Sequence, residues 1–203
     1  MIQKRITKPE VNELPLGQFE GPIELVETSN QLFEAVKELS KEKFIGFDTE
    51  TRPSFKKGVI HEVALLQLAT EERAFLFRLN QMGFPEQIRQ ILEDRSIVKI
   101  GAAVRDDLKA LKKLKPQFHP NAFFDLNEEL KKIGFHNVGV RNLSAMVLKI
   151  RISKSEQVSN WEAEKLSKKQ EVYAATDAWA CLEVFYALRA EGYLEELLHD
   201  LKK

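Results

Sequence analysis

Asp48 and Glu50 stand one residue apart in Phe44-Ile45-Gly46-Phe47-Asp48-Thr49-Glu50-Thr51, where an apolar run gives way to acids. If Phe44 to Phe47 is a buried strand, side chains alternate between its faces, and the two carboxylates leave its end on the same side. Two like charges held that close repel each other. A divalent cation between them would replace their lost hydration with coordination bonds. Gly46 falls on the same face and leaves room for something to approach the strand. Taken alone, the pair also suits the start of a solvated loop.

Two later acids occupy helical faces that ought to be apolar. In Val104 to Leu114 the buried stripe runs through Val104, Leu108, Leu111 and Leu114. Asp107 lies at its inner edge, whereas Asp106 is in phase with Lys109 and Lys113 and should face outward. Either acid also suits a helix N-terminus, through its free N–H groups. Further on, Tyr173, Asp177, Cys181, Val184 and Leu188 share one face at spacings of three and four. A carboxylate in that stripe is costly unless it is paired, hydrogen-bonded or bound to metal. Tyr173, one turn earlier, reaches the same place, and a structural Tyr–Asp hydrogen bond is the competing reading. Cys181 reads as a small core residue.

The elements that must position these groups follow from periodicity. Residues 1–21 contain Pro9, Pro15 and Gly17 with little periodicity, and read as an arm lying on a domain that fills 22–203. Ile23 to Glu27 alternates like a first strand. Ser29 caps a helix with Leu32, Phe33, Val36 and Leu39 on its apolar face. The acidic strand follows at 44–48, then a basic loop from Arg52 to Gly58, then apolar runs at 63–68 and 74–79 that complete an antiparallel meander. A helix near 85–93 leads to a strand and its turn at 97–104. The remainder is mostly helical, near 105–114, 125–133, 141–150 and 168–198. Asp125 competes with Asp107 as a third acidic ligand, but its place before a helical segment favours a capping role. This order gives an α/β fold, a mixed sheet with helices packed on its faces.

Composition narrows the chemistry. A chain of 203 residues suits one domain with a real core, and 43% hydrophobic with 31% charged residues is the balance of a soluble globular protein. Lys and Arg number 31, as do Asp and Glu, so no basic excess draws nucleic acid from a distance and any phosphate binding must be local. Bound cations would supply the positive charge that this count omits. Cys181 is the only cysteine, which leaves no internal disulfide or cysteine-based zinc site. The histidines at 61, 119, 136 and 199 lack metal-ligand spacing. No apolar run approaches the roughly 18 residues of a membrane span, so a cytoplasmic protein with no membrane partner is expected.

Asp48-Thr49-Glu50, then Asp107 in Gly101-Ala102-Ala103-Val104-Arg105-Asp106-Asp107, then Tyr173-Ala174-Ala175-Thr176-Asp177, resemble the three motifs of the DEDD 3′-5′ exonucleases. The likeness is greatest to the branch of ribonuclease D and the Werner syndrome exonuclease domain. It runs over about 22–192 and takes in Lys154-Ser155, Ser159-Asn160-Trp161-Glu162 and Leu166-Ser167. The histidine subclass has His five residues before the last Asp, where Val172 stands; the tyrosine subclass has Tyr four residues before it, where Tyr173 stands.

The resemblance implies a ribonuclease-H-like mixed sheet flanked by helices, and release of nucleoside 5′-monophosphates from a nucleic acid with a free 3′ end. It also implies two divalent cations, Mg2+ or Mn2+. Asp48 would bridge both, Glu50 and Asp177 would complete the first site, and Asp107 would hold the second through water. Tyr173 would orient the attacking water. Main chain around Thr49, and Gln67 within the apolar run Leu65-Leu66-Gln67-Leu68, are candidate substrate contacts. Arg52, Lys56 and Lys57 beside Phe55, and the Lys109, Lys112 and Lys113 face, are candidate phosphate patches. Trp161 reads as a turn anchor. Two rivals remain: a catalytically inactive nucleic-acid-binding module, against which the full set of acids counts, and a haloacid-dehalogenase-like phosphatase, which would carry Asp where Glu50 stands.

Overall fold

The computed structural model describes residues 2–195. Its centre is a six-stranded sheet of β1 (Ile23–Val26), β2 (Phe44–Thr51), β3 (Val63–Ala69), β4 (Ala74–Phe77), β5 (Val98–Gly101) and β6 (Phe123–Asp125), in the spatial order β1-β4-β3-β2-β5-β6. The strands β2, β3 and β4 form the antiparallel meander; β1 joins β4, and β5 and β6 join β2, in parallel. The helices are α1 (Lys8–Glu13), α2 (Ser29–Leu39), α3 (Leu79–Met82), α4 (Glu86–Glu93), α5 (Arg105–Leu114), α6 (Leu126–Lys132), α7 (Val140–Leu143) and α8 (Lys168–Ala190).

Alternation along the strands divides the core into two layers. Ile45, Phe47, Leu66, Leu68, Phe75 and Phe77 face the layer of α2, α4 and α5, where they meet Leu32, Leu39, Ile88, Leu92 and Leu111. On the other face Phe44, Ile100 and Phe124 meet Leu182 and Phe185 of α8. Leu65, Ala69 and Leu76 meet Ala174, Ala175 and Ala178 of the same helix. A capping box between Ser167 and Gln170 starts α8. Small side chains let its backbone ride low over the sheet, and the contact point is Gly46, where a Cβ would collide with the Ala178 carbonyl oxygen. The space at Gly46 is thus filled by main chain.

Several sequence expectations are corrected. The strand β2 runs on to Thr51, so Asp48 and Glu50 lie within it, paired with Gln67 and Leu65 of β3. Thr28, extended at φ −123°, caps α2, and Ser29 is its first residue. Phe33 is exposed, because α2 buries the stripe Leu32, Ala35 and Leu39. The arm contains α1, a six-residue helix too short to show a period, with Thr7 and Glu10 forming its capping box. β6 is three residues long and was hidden in the approach to α6. The span 141–150 is a helical turn, α7, followed by a π-helical one at Ser144–Leu148. Ala190 ends α8, and Gly192 turns the chain at φ +77°. Residues 196–198 and His199 fall outside the described residues. Beyond its helix, the arm is fastened by Gly17 N–H to Arg151 O (3.0 Å), Arg151 N–H to Pro15 O (2.8 Å) and Phe19 N–H to Thr176 Oγ1 (3.0 Å). Among the described residues no helix is long and apolar enough to cross a membrane.

Candidate active site

Three elements deliver the acids. β2 presents Asp48 and Glu50 on the face of Gly46, beneath α8, and its register against β3 slips just beyond Glu50. Because the Ala178 carbonyl rests on Gly46, the preceding residue of α8, Asp177, sits over β2 beside Asp48. Carboxylate oxygens of Asp48, Glu50 and Asp177 lie within 4.8 Å of one another. Tyr173, one turn earlier in α8, reaches Asp177 with its hydroxyl. Its ring packs against fully buried Trp161, centroids 6.0 Å apart. Trp161 therefore backs the tyrosine as well as filling its own turn.

Asp107 arrives from the other side. β5 pairs with Phe44, Ile45 and Gly46, which leaves the acidic stretch of β2 open on that edge to α5. Thr49, on the opposite face from Asp48, donates its hydroxyl to Asp107 Oδ1 at 2.5 Å. Asp106 is 89% exposed in its side chain and pairs with Lys109 at 2.7 Å, as the phase of the apolar stripe requires. Asp107 lies outside the group of three but close enough for its charge to act on Asp48 and Glu50. The turn into α5 is pinned by Asp125, whose carboxylate accepts from the N–H groups of Ala103 (2.9 Å) and Val104 (3.0 Å) while capping α6 through Asn127 (2.8 Å) and Glu128 (3.4 Å). Ala103 sits there at φ +62°. Asp125 is thus a positioning group, in line with its expected capping role.

The electrostatics are those of several carboxylates buried side by side. Burial, followed by the charges of Asp177, Glu50 and Asp107, pushes Asp48 far above the usual carboxylate range. Burial and the charges of Asp177 and Asp107 raise Glu50 to about 9. Burial brings Asp177 to about 7 despite the Tyr173 hydrogen bond and nearby Arg141, and Asp107 to about 6 despite Thr49. Oxygen donors that converge yet cannot all ionise are a ligand set for a hard divalent cation. They fit one well: Asp48, Glu50 and Asp177 as a first set, with Asp107 across from them.

A cleft of about 230 Å³ opens on the acids, lined by Asp48, Glu50, Tyr173, Asp177, Val140, Arg141, Lys154 and Gln157. Arg141, Lys154 and Gln157 were not among the expected site residues. Lys154 lay in a flank of the family likeness, but no local pattern marks Arg141, which the fold alone brings near Tyr173 and Asp177. Gln67, expected to touch substrate, is fully enclosed and therefore offers it no surface. It faces the same way as its cross-strand partner Asp48. Neither of its amide atoms has a hydrogen-bond partner among the described residues. The Thr49 side chain is committed to Asp107.

The family model described as 3′-5′ exonuclease matches residues 23–192. The chain belongs to the 3′-5′ exonuclease family. It is 30% identical over 198 residues to the bifunctional 3′-5′ exonuclease/ATP-dependent helicase WRN of Mus musculus, covering 92% of this chain and 14% of that protein. Ribonuclease D of Gluconacetobacter diazotrophicus is 30% identical over 189 residues, covering 90% of this chain and 47% of the relative. The Aedes aegypti Nibbler EXO domain shares the fold at TM-score 0.81 and 22% identity, over 92% of this exonuclease-family chain and 100% of that one. The mixed sheet flanked by helices is thus the ribonuclease-H-like fold of its structural neighbours. The chain spans under half the length of these two curated relatives.

Proposed function

We propose that this protein is a divalent-cation-dependent 3′-5′ exonuclease. It would remove nucleoside 5′-monophosphates from a free 3′ end of DNA or RNA, using a domain over 22–203 on which residues 1–21 lie as an arm. The observation that carries the reading is the convergence of Asp48, Glu50 and Asp177 within 4.8 Å, one helical turn from Tyr173. The names of the relatives, a ribonuclease and an exonuclease joined to a helicase, support nucleic acid as the substrate class.

In this reading Asp48, Glu50 and Asp177 hold one cation, and Asp48 with Asp107 a second, Mg2+ or Mn2+. Bound there, the pair supplies charge to offset that of the phosphate, a lowered pKa for the attacking water and a counter-charge for the departing 3′ oxygen. Burial, then the charges of Asp177 and Glu50, raise Tyr173 further above its ordinary value. It therefore keeps its proton at neutral pH and orients water by hydrogen bonding instead of acting as a base. Trp161 and Asp177 fix the phenol from two sides, so the water is held in one direction. Arg141 and Lys154, at the rim, meet the phosphate as it enters.

The test uses matched DNA and RNA oligonucleotides labelled at the 5′ end, with magnesium or manganese. A ladder that shortens from the 3′ end, and that chelator and Asp177→Ala both abolish, is the expected result. Cleavage at internal positions alone would overturn the assignment.

A further inference from the structure

Large apolar side chains exposed to solvent are few among the described residues: Leu16, Phe33, Phe55, Val59, Ile60 and Val158. Four of them crowd onto two loops, 52–62 and 153–166, with Phe55 86% exposed, Ile60 82%, Val158 66% and Val59 44%. Both loops lead to the acidic cleft. The first leaves β2 two residues after Glu50, and the second contributes Lys154 and Gln157 to the cleft wall. Glu162 ties them together, accepting from Arg52 Nη1 at 3.1 Å and meeting His61 Nδ1 at 2.9 Å.

The tip of the first loop is shaped rather than slack. Val59 N–H bonds to Lys56 O at 3.2 Å, the Ser54 hydroxyl to the same oxygen at 3.0 Å, and Gly58 turns the chain at φ +83°. Lys56 and Lys57 at that tip are exposed and have no carboxylate partner among the described residues. A solvated loop has no use for a bare phenyl ring and an isoleucine beside free cations. A groove that tracks a single strand does: bases stack on aromatic faces and lysines follow the phosphates.

We propose that the two loops, joined through Glu162, form a tract for the single strand upstream of the bond to be cut. Phe55 is the stacking platform, Ile60 and Val158 flank it, and Lys56 and Lys57 contact phosphates. The balanced net charge agrees with a local grip rather than long-range attraction. The inference rests on the exonuclease reading for the direction of the strand, but binding tests it separately.

Anisotropy of a 5′-fluorescein single-stranded 20-mer is measured in the Asp177→Ala background, which keeps the oligonucleotide whole. Phe55→Ala should weaken binding about fivefold or more. Lys56→Glu with Lys57→Glu should flatten the slope of log affinity against log salt by about 1.4, the share of two phosphates on a single strand. With Asp177 restored, the same loop variants should hydrolyse the p-nitrophenyl ester of thymidine 5′-monophosphate, which has no upstream strand, within about twofold of the unaltered rate. Unchanged 20-mer binding would overturn the proposal, as would an equal loss on the ester or a larger loss for blunt duplex than for single strand. Such outcomes would leave the apolar rim to a protein partner. If the unaltered protein binds the 20-mer through these loops yet hydrolyses nothing, the exonuclease reading falls and the tract stands.

Discussion

Asp48→Asn removes one carboxylate from a mutually repelling set while keeping the side chain's shape. In the cation-free protein Asp177 is raised from 3.8 to about 7 and Glu50 from 4.5 to about 9. At about 1.4 kcal/mol for each pH unit, the Asp177 rise alone sets about 4 kcal/mol against folding once the pH is alkaline. Asp48 feels burial and three neighbouring charges. An amide in its place removes the cost of burying that charge and its repulsion of Asp177, Glu50 and Asp107. The gain is about 2 kcal/mol, half of the roughly 4 kcal/mol of one close like-charge pair at an effective dielectric of about 20, or about 4–8 °C in Tm for a chain of this size. The direction with pH follows from linkage. A carboxyl whose folded pKa is raised costs nothing below its unfolded value. Stability is lost as pH rises from about 4, through about 7 where Asp177 ionises and on through about 9 where Glu50 does. In chelator the variant should therefore match the parent near pH 4 and outlast it increasingly towards pH 9. Magnesium should reverse the order at pH 8, since a cation at 100 times its Kd adds about 2.7 kcal/mol to the protein that binds it. Differential scanning calorimetry across this grid is the assay. A variant that melts at or below the parent in chelator at pH 8, or a gap that does not grow with pH, would refute the repulsion account.

Three further outcomes are expected. Tyr173→Phe should lower single-turnover cleavage about 100-fold while leaving Mn2+ affinity by titration calorimetry within about twofold; an equal loss in both would make the phenol a structural support of the cluster. Gly46→Ala forces a methyl into the Ala178 carbonyl, so urea melts should show about 1–3 kcal/mol of destabilisation, with metal affinity falling as Asp177 is lifted from Asp48. Asp125→Ala strands four backbone N–H groups and should cost about 3 kcal/mol or more; a loss under about 1 kcal/mol in urea would show that the turn into α5 holds without it.

Much of the fold could be read from period alone, because β2, β3 and α8 are long enough to display one. Asp107 was separable from Asp106 since a helical stripe has a definite phase. Features shorter than a period were not: α1 and β6 span fewer residues than a pattern needs, and Phe33 stands at the edge of the α2 stripe, where Ala35 is buried in its stead beside Leu32, Val36 and Leu39. Arg141 and Gln67 show a different limit. What places the arginine by Tyr173, and seals the glutamine under the acids, is packing between elements far apart in sequence, and side-chain type carries no trace of it. Of the cleft's two cations, Lys154 thus stood in a flank of the family likeness, whereas Arg141 had no signal of its own.

Gly46 and the Ala178 carbonyl meet with no side chain between them, and this makes the contact a fulcrum for α8. At one side of it the helix carries Asp177 and Tyr173; at the other it carries Phe185, packed on Phe44 and Phe124 with centroids 5.0 and 5.3 Å away. Changes of volume in that aromatic cluster can tilt the far end of the helix, yet the lever arm to Asp177 is a single residue long. The interior can drift in sequence while the separation between the two halves of the acidic cluster stays fixed.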